Sequence, residues 1–99
     1  MGNPRPRPKH LGKKLLQIRE GLGLTQAQMV ERLGLEDMKP ARICQYEKNQ
    51  REPALKTLIA YAHVACIHLE DIVNDDLSLP GTLPGNIHYR GNLYKPSID

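Results

Sequence analysis

Apolar residues recur every three or four positions through most of the chain, which is the spacing of one face of an α-helix. The first stripe comprises four such residues: Leu11, Leu15, Ile18 and Leu22. Gly23 follows the stripe, and glycine is a common helix terminator. The pattern therefore predicts a first helix with one buried face, and we expect Lys13, Lys14 and Glu20 to face water.

A second helix is predicted directly after Thr25. Gln28 stands three residues after Thr25, so the two residues can form a capping box in which each side chain binds the other's backbone N–H. Gly34 is placed to end this helix in a left-handed conformation. We expect its inner face to carry Ala27, Val30 and Leu33, with Met29 at the margin.

A third helix is predicted from Pro40 to about Lys48, because proline lacks an N–H and is well suited to a first helical turn. Ile43 and either Tyr46 or Glu47 would point inward. Four residues of this stretch would then share the outward face: Ala41, Arg42, Gln45 and Lys48.

Two further helices are predicted after the polar connection NQREP. The fourth helix would use one apolar stripe: Leu55, Leu58, Ile59, Ala62, and Ala65 or Cys66. The short segment LEDIV forms the fifth, where Glu70 and Asp71 suit the positive end of the helix dipole. Beyond Asp76, prolines and glycines every few residues predict an extended tail, with a weaker signal for a hairpin turn at Gly91-Asn92.

Composition changes this picture little. A chain of 99 residues with 39% hydrophobic and 25% charged residues is typical of one small globular domain. The first ten residues lack the apolar segment of a secretory signal, and no apolar run approaches the roughly 20 residues of a membrane span. We therefore expect a cytoplasmic protein without membrane association. Cys44 and Cys66 lie within helical patterns, and we expect both to be reduced packing residues.

Charge is distributed unevenly along the chain. Residues 1–14 carry five basic side chains and no acid, and their PRPRP run favours an extended arm. Residues 54–76 carry Lys56 against four acids, Glu70, Asp71, Asp75 and Asp76. A basic arm can attract a polyanion, although a solvated tail without a ligand would have the same composition.

Five short helices with a polar turn between the second and third indicate a helix-turn-helix module. Residues 11–76 resemble the XRE, Cro and phage-repressor class of helix-turn-helix DNA-binding domains. The resemblance lies in LGKKLLQIREGLGLTQAQMVERLGL and in ICQYEKNQREPALKTLIAYA. It implies an all-α fold, a compact five-helix bundle of the lambda-repressor-like type with extended N- and C-terminal tails. We divide the chain into a basic arm at 1–10, the helix-turn-helix domain at 11–76 and a tail at 77–99.

The resemblance implies that the third helix of this sequence enters the major groove of double-stranded DNA. Ala41, Arg42 and Gln45 are then expected to contact bases. Arginine can donate twice to guanine, glutamine can pair with adenine, and an alanine methyl can contact thymine. The function expected from this is sequence-specific transcription regulation by a homodimer bound to two half-sites, without a cofactor.

Other residue roles also follow from the resemblance. Five residues are expected to contact the DNA backbone: Gln26, Lys39, Lys48, Asn49 and Arg51. Arg19 and Glu47 are expected to form an internal ion pair, so that Glu47 has a structural role and not a catalytic one.

The sequence departs from the family in the stretch LEDMKPAR, which is longer than the usual connection between Gly34 and the apolar residue at Ile43. We predict an ordered, lengthened turn that sets the start of the third helix. Because Glu36 and Asp37 would repel phosphate, we expect them to face sideways or to help cap that helix.

Two alternative functions stay open at this point. The same fold could serve as a protein-interaction module, antitoxin-like or coactivator-like, with a protein partner bound through the tails. His63, Cys66 and His68 are close in sequence and could bind zinc, but a fourth ligand is missing. No phosphate-binding loop, nucleophile motif or paired-carboxylate arrangement points to an enzyme.

Overall fold

Five helices follow one another in the computed structural model, which describes residues 8–84. They are α1 (Leu11–Gly21), α2 (Gln26–Leu33), α3 (Pro40–Glu47), α4 (Leu55–Ala65) and α5 (Leu69–Val73). No strand occurs between residues 8 and 84, and the predicted compact all-α fold is confirmed. Residues 1–7 of the predicted arm and the predicted turn at Gly91-Asn92 lie outside the described residues. No helix in the described part is long and apolar enough to cross a membrane.

The predicted capping box at the start of α2 is confirmed. Gln28 N donates to Thr25 Oγ1 over 3.1 Å, and Thr25 N donates to Gln28 Oε1 over 2.9 Å. Gly34 ends the helix with a φ of 67°, the left-handed conformation that glycine adopts without steric cost. Because α2 has only eight residues, these local signals and its packing are needed to hold it.

The inner face of α2 differs from the prediction. Met29 is fully buried beside the buried Leu33, whereas Ala27 is exposed and Val30 is half-buried. Two helical turns are compatible with more than one apolar stripe, and α2 packs against both α3 and α4. The long, flexible methionine side chain fills that space better than an alanine methyl can, so the buried ridge runs through Met29 and Leu33.

One hydrophobic core joins all five helices. Its buried apolar residues are Leu11, Leu15, Ile18, Leu22, Leu24, Met29, Leu33, Ile43, Tyr46, Leu58, Tyr61, Ala62, Ala65, Ile72 and Leu83. Leu83 comes from the predicted tail, where Leu79 is also partly buried against the core. These two residues pack beside α1, so the core includes residues that follow Asp76.

Helix α4 faces the core with a different stripe from the predicted one. Leu58 and Ala62 are buried as expected, and Tyr61 is fully buried with them. Leu55 is 64% exposed and Ile59 is 38% exposed, so the prediction that both face inward is wrong. The helix is rotated so that its large aromatic ring fills the core, and this rotation leaves two aliphatic side chains on the surface.

Lys14 is buried, which contradicts the prediction that it faces water. It is only 5% exposed, and its Nζ donates to Asp71 O and Asn74 O over 2.8 Å each. The last carbonyl groups of a helix have no partner within the helix, and a positive charge there is favourable. Lys14 therefore satisfies the C-terminal end of α5 from within α1, and it fastens the two helices together.

Replacing Lys14 by methionine is expected to lower the free energy of unfolding by about 2 kcal/mol, because two charge-assisted hydrogen bonds are lost and two carbonyl groups stay unpaired. Methionine keeps most of the aliphatic stem, so packing changes little. Urea denaturation followed by circular dichroism measures the effect. Lys13→Met is the matched control, since Lys13 is the exposed neighbour in the same helix. Equal stability of the two variants would contradict the role assigned to Lys14.

The start of α1 is fastened a second time, by Asp75. Its carboxylate accepts hydrogen bonds from Lys9 N over 2.8 Å and from His10 N over 3.0 Å. These two backbone bonds hold the pKa of Asp75 below its ordinary value. Asp75, which follows α5, binds the residues before α1, and Lys14 of α1 binds the C-terminal end of α5. The two contacts together hold α1 against α5.

Candidate nucleic-acid interface

Helix α3 packs against both α1 and α2 and leaves one face open. Ile43 is fully buried and Tyr46 is 3% exposed, which fixes the orientation of the helix. Pro40 is the first helical residue, as predicted, and Lys39 before it has an extended backbone. Lys39, Pro40, Ala41 and Lys48 are exposed, while Arg42 and Gln45 are half-buried at the same face.

The lengthened turn between α2 and α3 has a defined conformation. Leu35 and Met38 are half-buried and pack against the core, so the two apolar residues hold the turn at both ends. Glu36 and Asp37 are exposed between them, and Asp37 has a φ of 61°. Neither acid caps α3, because the N-cap residue is Lys39, whose side chain makes no capping hydrogen bond, and the first turn of the helix holds no acid. The capping role considered for these acids is therefore wrong.

The only acidic residue of α3 is removed from the open face by an ion pair. Glu47 is 6% exposed and Arg19 of α1 is 16% exposed at their side chains. Arg19 Nε lies 2.7 Å from Glu47 Oε2, and Arg19 Nη2 lies 3.1 Å from Glu47 Oε1. This hydrogen bonding raises the pKa of the Arg19 guanidinium. Arg19 Nη1 also donates to Leu24 O over 2.9 Å, so the pair holds the connection between α1 and α2.

Gln26, the first residue of α2, joins the same network. Its Nε2 donates to Glu47 Oε1 over 3.2 Å. The capping box uses the backbone N–H groups of Thr25 and Gln28, whereas those of Gln26 and Ala27 have no acceptor within a helix. Glu47 thus holds the side chain of Gln26 at a helix N-terminus, where the helix dipole and free N–H groups favour an anion.

Asn49 is exposed, but its side chain is hydrogen-bonded to α1. It adopts a φ of 58°, and its Oδ1 accepts a hydrogen bond from Gly12 N over 3.2 Å. Asparagine tolerates this left-handed conformation, but no sequence signal predicts the hydrogen bond to α1. Lys48 and Arg51, on either side in sequence, are exposed.

The predicted site residues therefore fall into two groups. Those of the first group are on the open face of α3 or at its ends, namely Lys39, Ala41, Arg42, Gln45 and Lys48, together with Arg51, which is exposed in the connection that follows α3. Gln26 and Asn49 form the second group, because the side chain of each is bonded to another helix within the domain.

Tyr61 lies behind the ion pair and was not recognised from the sequence. Its ring is fully buried, and its hydroxyl has no hydrogen-bond partner among residues 8–84. Burial, and secondly the negative charge of Glu47, raise the pKa of the Tyr61 hydroxyl, which keeps it protonated. Tyr61 comes three residues after Leu58 and four before Ala65, which is the spacing of one helix face. This spacing was the sequence signal from which the burial of Tyr61 could have been predicted.

The residues considered for zinc do not form a site. His63, Cys66 and His68 are all exposed, and Cys66 Sγ donates to His63 O over 3.5 Å. The described part of the chain contains no group of three His, Cys, Asp or Glu side chains that could hold a metal ion. The two cysteines are not joined in a disulfide, and Cys66 is an exposed helix cap with a φ of 58°, so its prediction as a packing residue is wrong.

The comparison with known families agrees with this geometry. A family model described as a helix-turn-helix domain matches residues 12–64, more than half of the chain. The chain therefore belongs to the helix-turn-helix domain family, and the resemblance to the XRE type is confirmed at that level. No curated protein and no solved structure matches the chain significantly. At the family level, the domain is that of a DNA-binding regulator, a class that is typically not enzymatic.

Proposed function

We propose that this protein is a sequence-specific transcription regulator that inserts α3 into the major groove of double-stranded DNA. The observation that supports this most directly is the charge of the open face of α3. Residues 38–46 contain no acid, and Glu47 is withdrawn into the ion pair with Arg19. The face therefore presents only positive and neutral side chains to a polyanion.

Three residues of α3 are proposed to contact bases. Arg42 and Gln45 are three positions apart, so they share one side of the helix. Both are half-buried, which restricts their side chains before DNA is bound. Arg42 can donate twice to guanine O6 and N7, Gln45 can pair with adenine N6 and N7, and the exposed Ala41 can contact a thymine methyl group.

The backbone contacts are proposed to lie at both ends of α3 and at the start of α2. Lys39, Lys48 and Arg51 are exposed and can bind phosphates as simple charges. Gln26 can donate the second hydrogen of its Nε2 to a phosphate that lies at the N-terminus of α2, where backbone N–H groups also favour an anion. The Oδ1 of Asn49 accepts from Gly12 N and its backbone N–H donates to Tyr46 O, so we assign its phosphate contact to the side-chain Nδ2, which carries two N–H donors.

The regulator is proposed to act as a homodimer on two half-sites about one helical turn apart, because one short helix reads only a few base pairs. The exposed Glu36 and Asp37 then lie beside the groove, where they disfavour close approach of phosphate and limit binding to a single register.

Binding to a pool of random duplexes tests the proposed function. We expect one sequence to be enriched, and we expect its affinity to fall steeply as the salt concentration rises. If no sequence is enriched and binding does not respond to salt, sequence-specific recognition is excluded.

Alanine variants should separate base contacts from phosphate contacts. Arg42→Ala should cost about 1 to 3 kcal/mol and relax the preference at one position of the site, whereas Lys48→Ala should weaken all sequences alike and reduce the salt slope by about one. Gel-shift titrations at several salt concentrations measure both effects. Lys13→Ala, an exposed change on α1, is the matched control and should alter neither. Identical effects of Arg42→Ala and Lys48→Ala would contradict the assignment.

A protein-interaction module is the second candidate, and the exposed aliphatic residues Leu55 and Ile59 favour it. It requires one stoichiometric protein partner and no footprint on DNA. A pull-down combined with footprinting distinguishes it from the first proposal.

A further inference from the structure

A polar cavity lies between α1 and the segment that follows α5. It encloses about 290 Å³ and is lined by residues 10–17 on one side and residues 75–79 on the other. Among the described residues, none from α2, α3 or α4 lines it, so the cavity is separate from the face assigned to DNA. Gln17 and Leu79 also line a second cavity of about 250 Å³, which continues along α1 to Leu83. Together, the two adjoining cavities have the size typical of a small-molecule site.

The ammonium group of Lys14 indicates what this cavity can bind. Lys14 lines the cavity and is only 5% exposed, and both of its acceptors, Asp71 O and Asn74 O, are uncharged carbonyl oxygens. An ammonium group has three N–H donors, so one donor is left without an acceptor among residues 8–84. Buried charges are normally paired with an opposite charge, because removing one from water alone is costly. The third donor of Lys14 can therefore bind an anion that enters the cavity.

Other positive and hydrogen-bonding groups line the same cavity. His10 and Lys13 are exposed at its edge, and the amide of Gln17 and the hydroxyl of Ser78 can donate hydrogen bonds from its two sides. Asp75 is the only acid among the described lining residues, and its carboxylate already accepts from two backbone N–H groups before α1. The lining therefore has a net positive charge, which favours an anion over a cation.

We propose that this cavity binds a small molecule through an anionic group, either a phosphate or a carboxylate. The anion accepts hydrogen bonds from Lys13, Lys14 and Ser78, and the side chains of Leu77 and Leu79 contact the uncharged part of the ligand. Because the ligand contacts both sides of the cavity, its binding holds the segment after α5 against α1. The inference goes beyond the proposed function and does not depend on it, since the two sites share no residue.

NMR titration of the full chain with sodium phosphate, and separately with sodium acetate, tests the site at constant ionic strength. We expect saturable shifts of the Lys14 ammonium signal and of the backbone amide signals of Lys13 and Ser78. The amide signals of α3 are the internal comparison, because an anion bound at the DNA face shifts those instead. Saturation by phosphate alone identifies a phosphate ligand, and saturation by acetate identifies a carboxylate ligand.

Two variants separate this site from general attraction of anions to a basic protein. Lys13→Gln and Ser78→Ala should each raise the dissociation constant of the anion by about tenfold, because each removes a hydrogen bond to a charged group. Both residues are exposed, so the thermal unfolding midpoint without the anion should stay unchanged. Lys56→Gln is the matched control: Lys56 is an exposed lysine of α4 that does not line the cavity, and this variant should bind like the wild type.

Three outcomes would overturn the inference. One is a Lys14 signal that does not saturate with either anion, and another is a dissociation constant that neither Lys13→Gln nor Ser78→Ala changes. The third is a set of shifts confined to the amides of α3, which would assign the anion to the DNA face and leave the proposed function intact. A chain that binds the anion in the cavity but enriches no DNA sequence keeps this site and refutes the function.

Discussion

Glu47→Ala is expected to lower the free energy of unfolding by about 3 kcal/mol, because it leaves the guanidinium of Arg19 largely buried without its partner. The side chain of Arg19 is 16% exposed, so water can replace only a small part of the hydrogen bonding and charge stabilisation that the Glu47 carboxylate provides. The Gln26 amide loses its acceptor at the same time. A loss of this size is a large fraction of the roughly 5 to 15 kcal/mol that stabilises a small domain, so the thermal unfolding midpoint of the variant should fall by several degrees or more.

Urea denaturation followed by circular dichroism, at a temperature where the variant is folded, measures this effect. Glu31→Ala is the matched control, since Glu31 is an exposed glutamate of α2 whose loss should change stability by less than about 0.5 kcal/mol. Replacing both partners by apolar residues, as in Arg19→Met with Glu47→Leu, should recover much of the loss, because no charge is left unpaired. Equal stability of Glu47→Ala and Glu31→Ala would show that the pair contributes little.

Gly12→Ala is expected to destabilise the domain by about 2 to 3 kcal/mol, through crowding between α1 and α3. An added Cβ would lie 2.7 Å from Asn49 Oδ1, 2.8 Å from Tyr46 O and 2.9 Å from Glu47 O. Two of these atoms belong to the backbone of α3, so a side-chain rotation cannot relieve the contact. The helices must move apart, which also weakens the hydrogen bond from Gly12 N to Asn49.

The other glycine of α1 provides the control for that prediction. A Cβ at Gly21 would lie 3.0 Å from Leu83 Cδ1, the end of a flexible side chain. Gly21→Ala should therefore change the urea midpoint only slightly, since the gain in helix propensity offsets the small adjustment of Leu83. If Gly12→Ala and Gly21→Ala proved equally stable, the close approach of α1 to α3 would not be required for folding.

Local signals in the sequence were sufficient to predict the helices. The capping box at Thr25, the glycine at 34 and the proline at 40 act through backbone geometry within a few residues. Such signals depend little on the rest of the fold, which is why the starts of α2 and α3 agree with the prediction. The face that a short helix buries depends instead on its neighbours, and Met29 of α2 and Leu55 of α4 were assigned wrongly for that reason.

Of the internal contacts at the candidate site, the sequence led us to expect only the ion pair between Arg19 and Glu47. The types and spacing of Arg42 and Gln45 are the basis for proposing that this face contacts bases, because their chemistry is visible in the sequence. The bonds from Gln26 to Glu47 and from Gly12 to Asn49 join residues that are far apart in the chain. Spacing along one helix carries no information about such pairs, so they appear only when the helices are packed.

The contacts of Lys14 show that the packed part of this chain extends beyond the segment that the family model matches. The family match ends at residue 64, but both acceptors of the Lys14 ammonium, Asp71 O and Asn74 O, come later in the chain. A fragment cut at the family boundary would lose those acceptors, and it would also lose the buried Leu83. We therefore expect a fragment to need α5 and the segment from Leu79 to Leu83, which packs beside α1, for native stability, although neither contributes a residue to the proposed DNA contact.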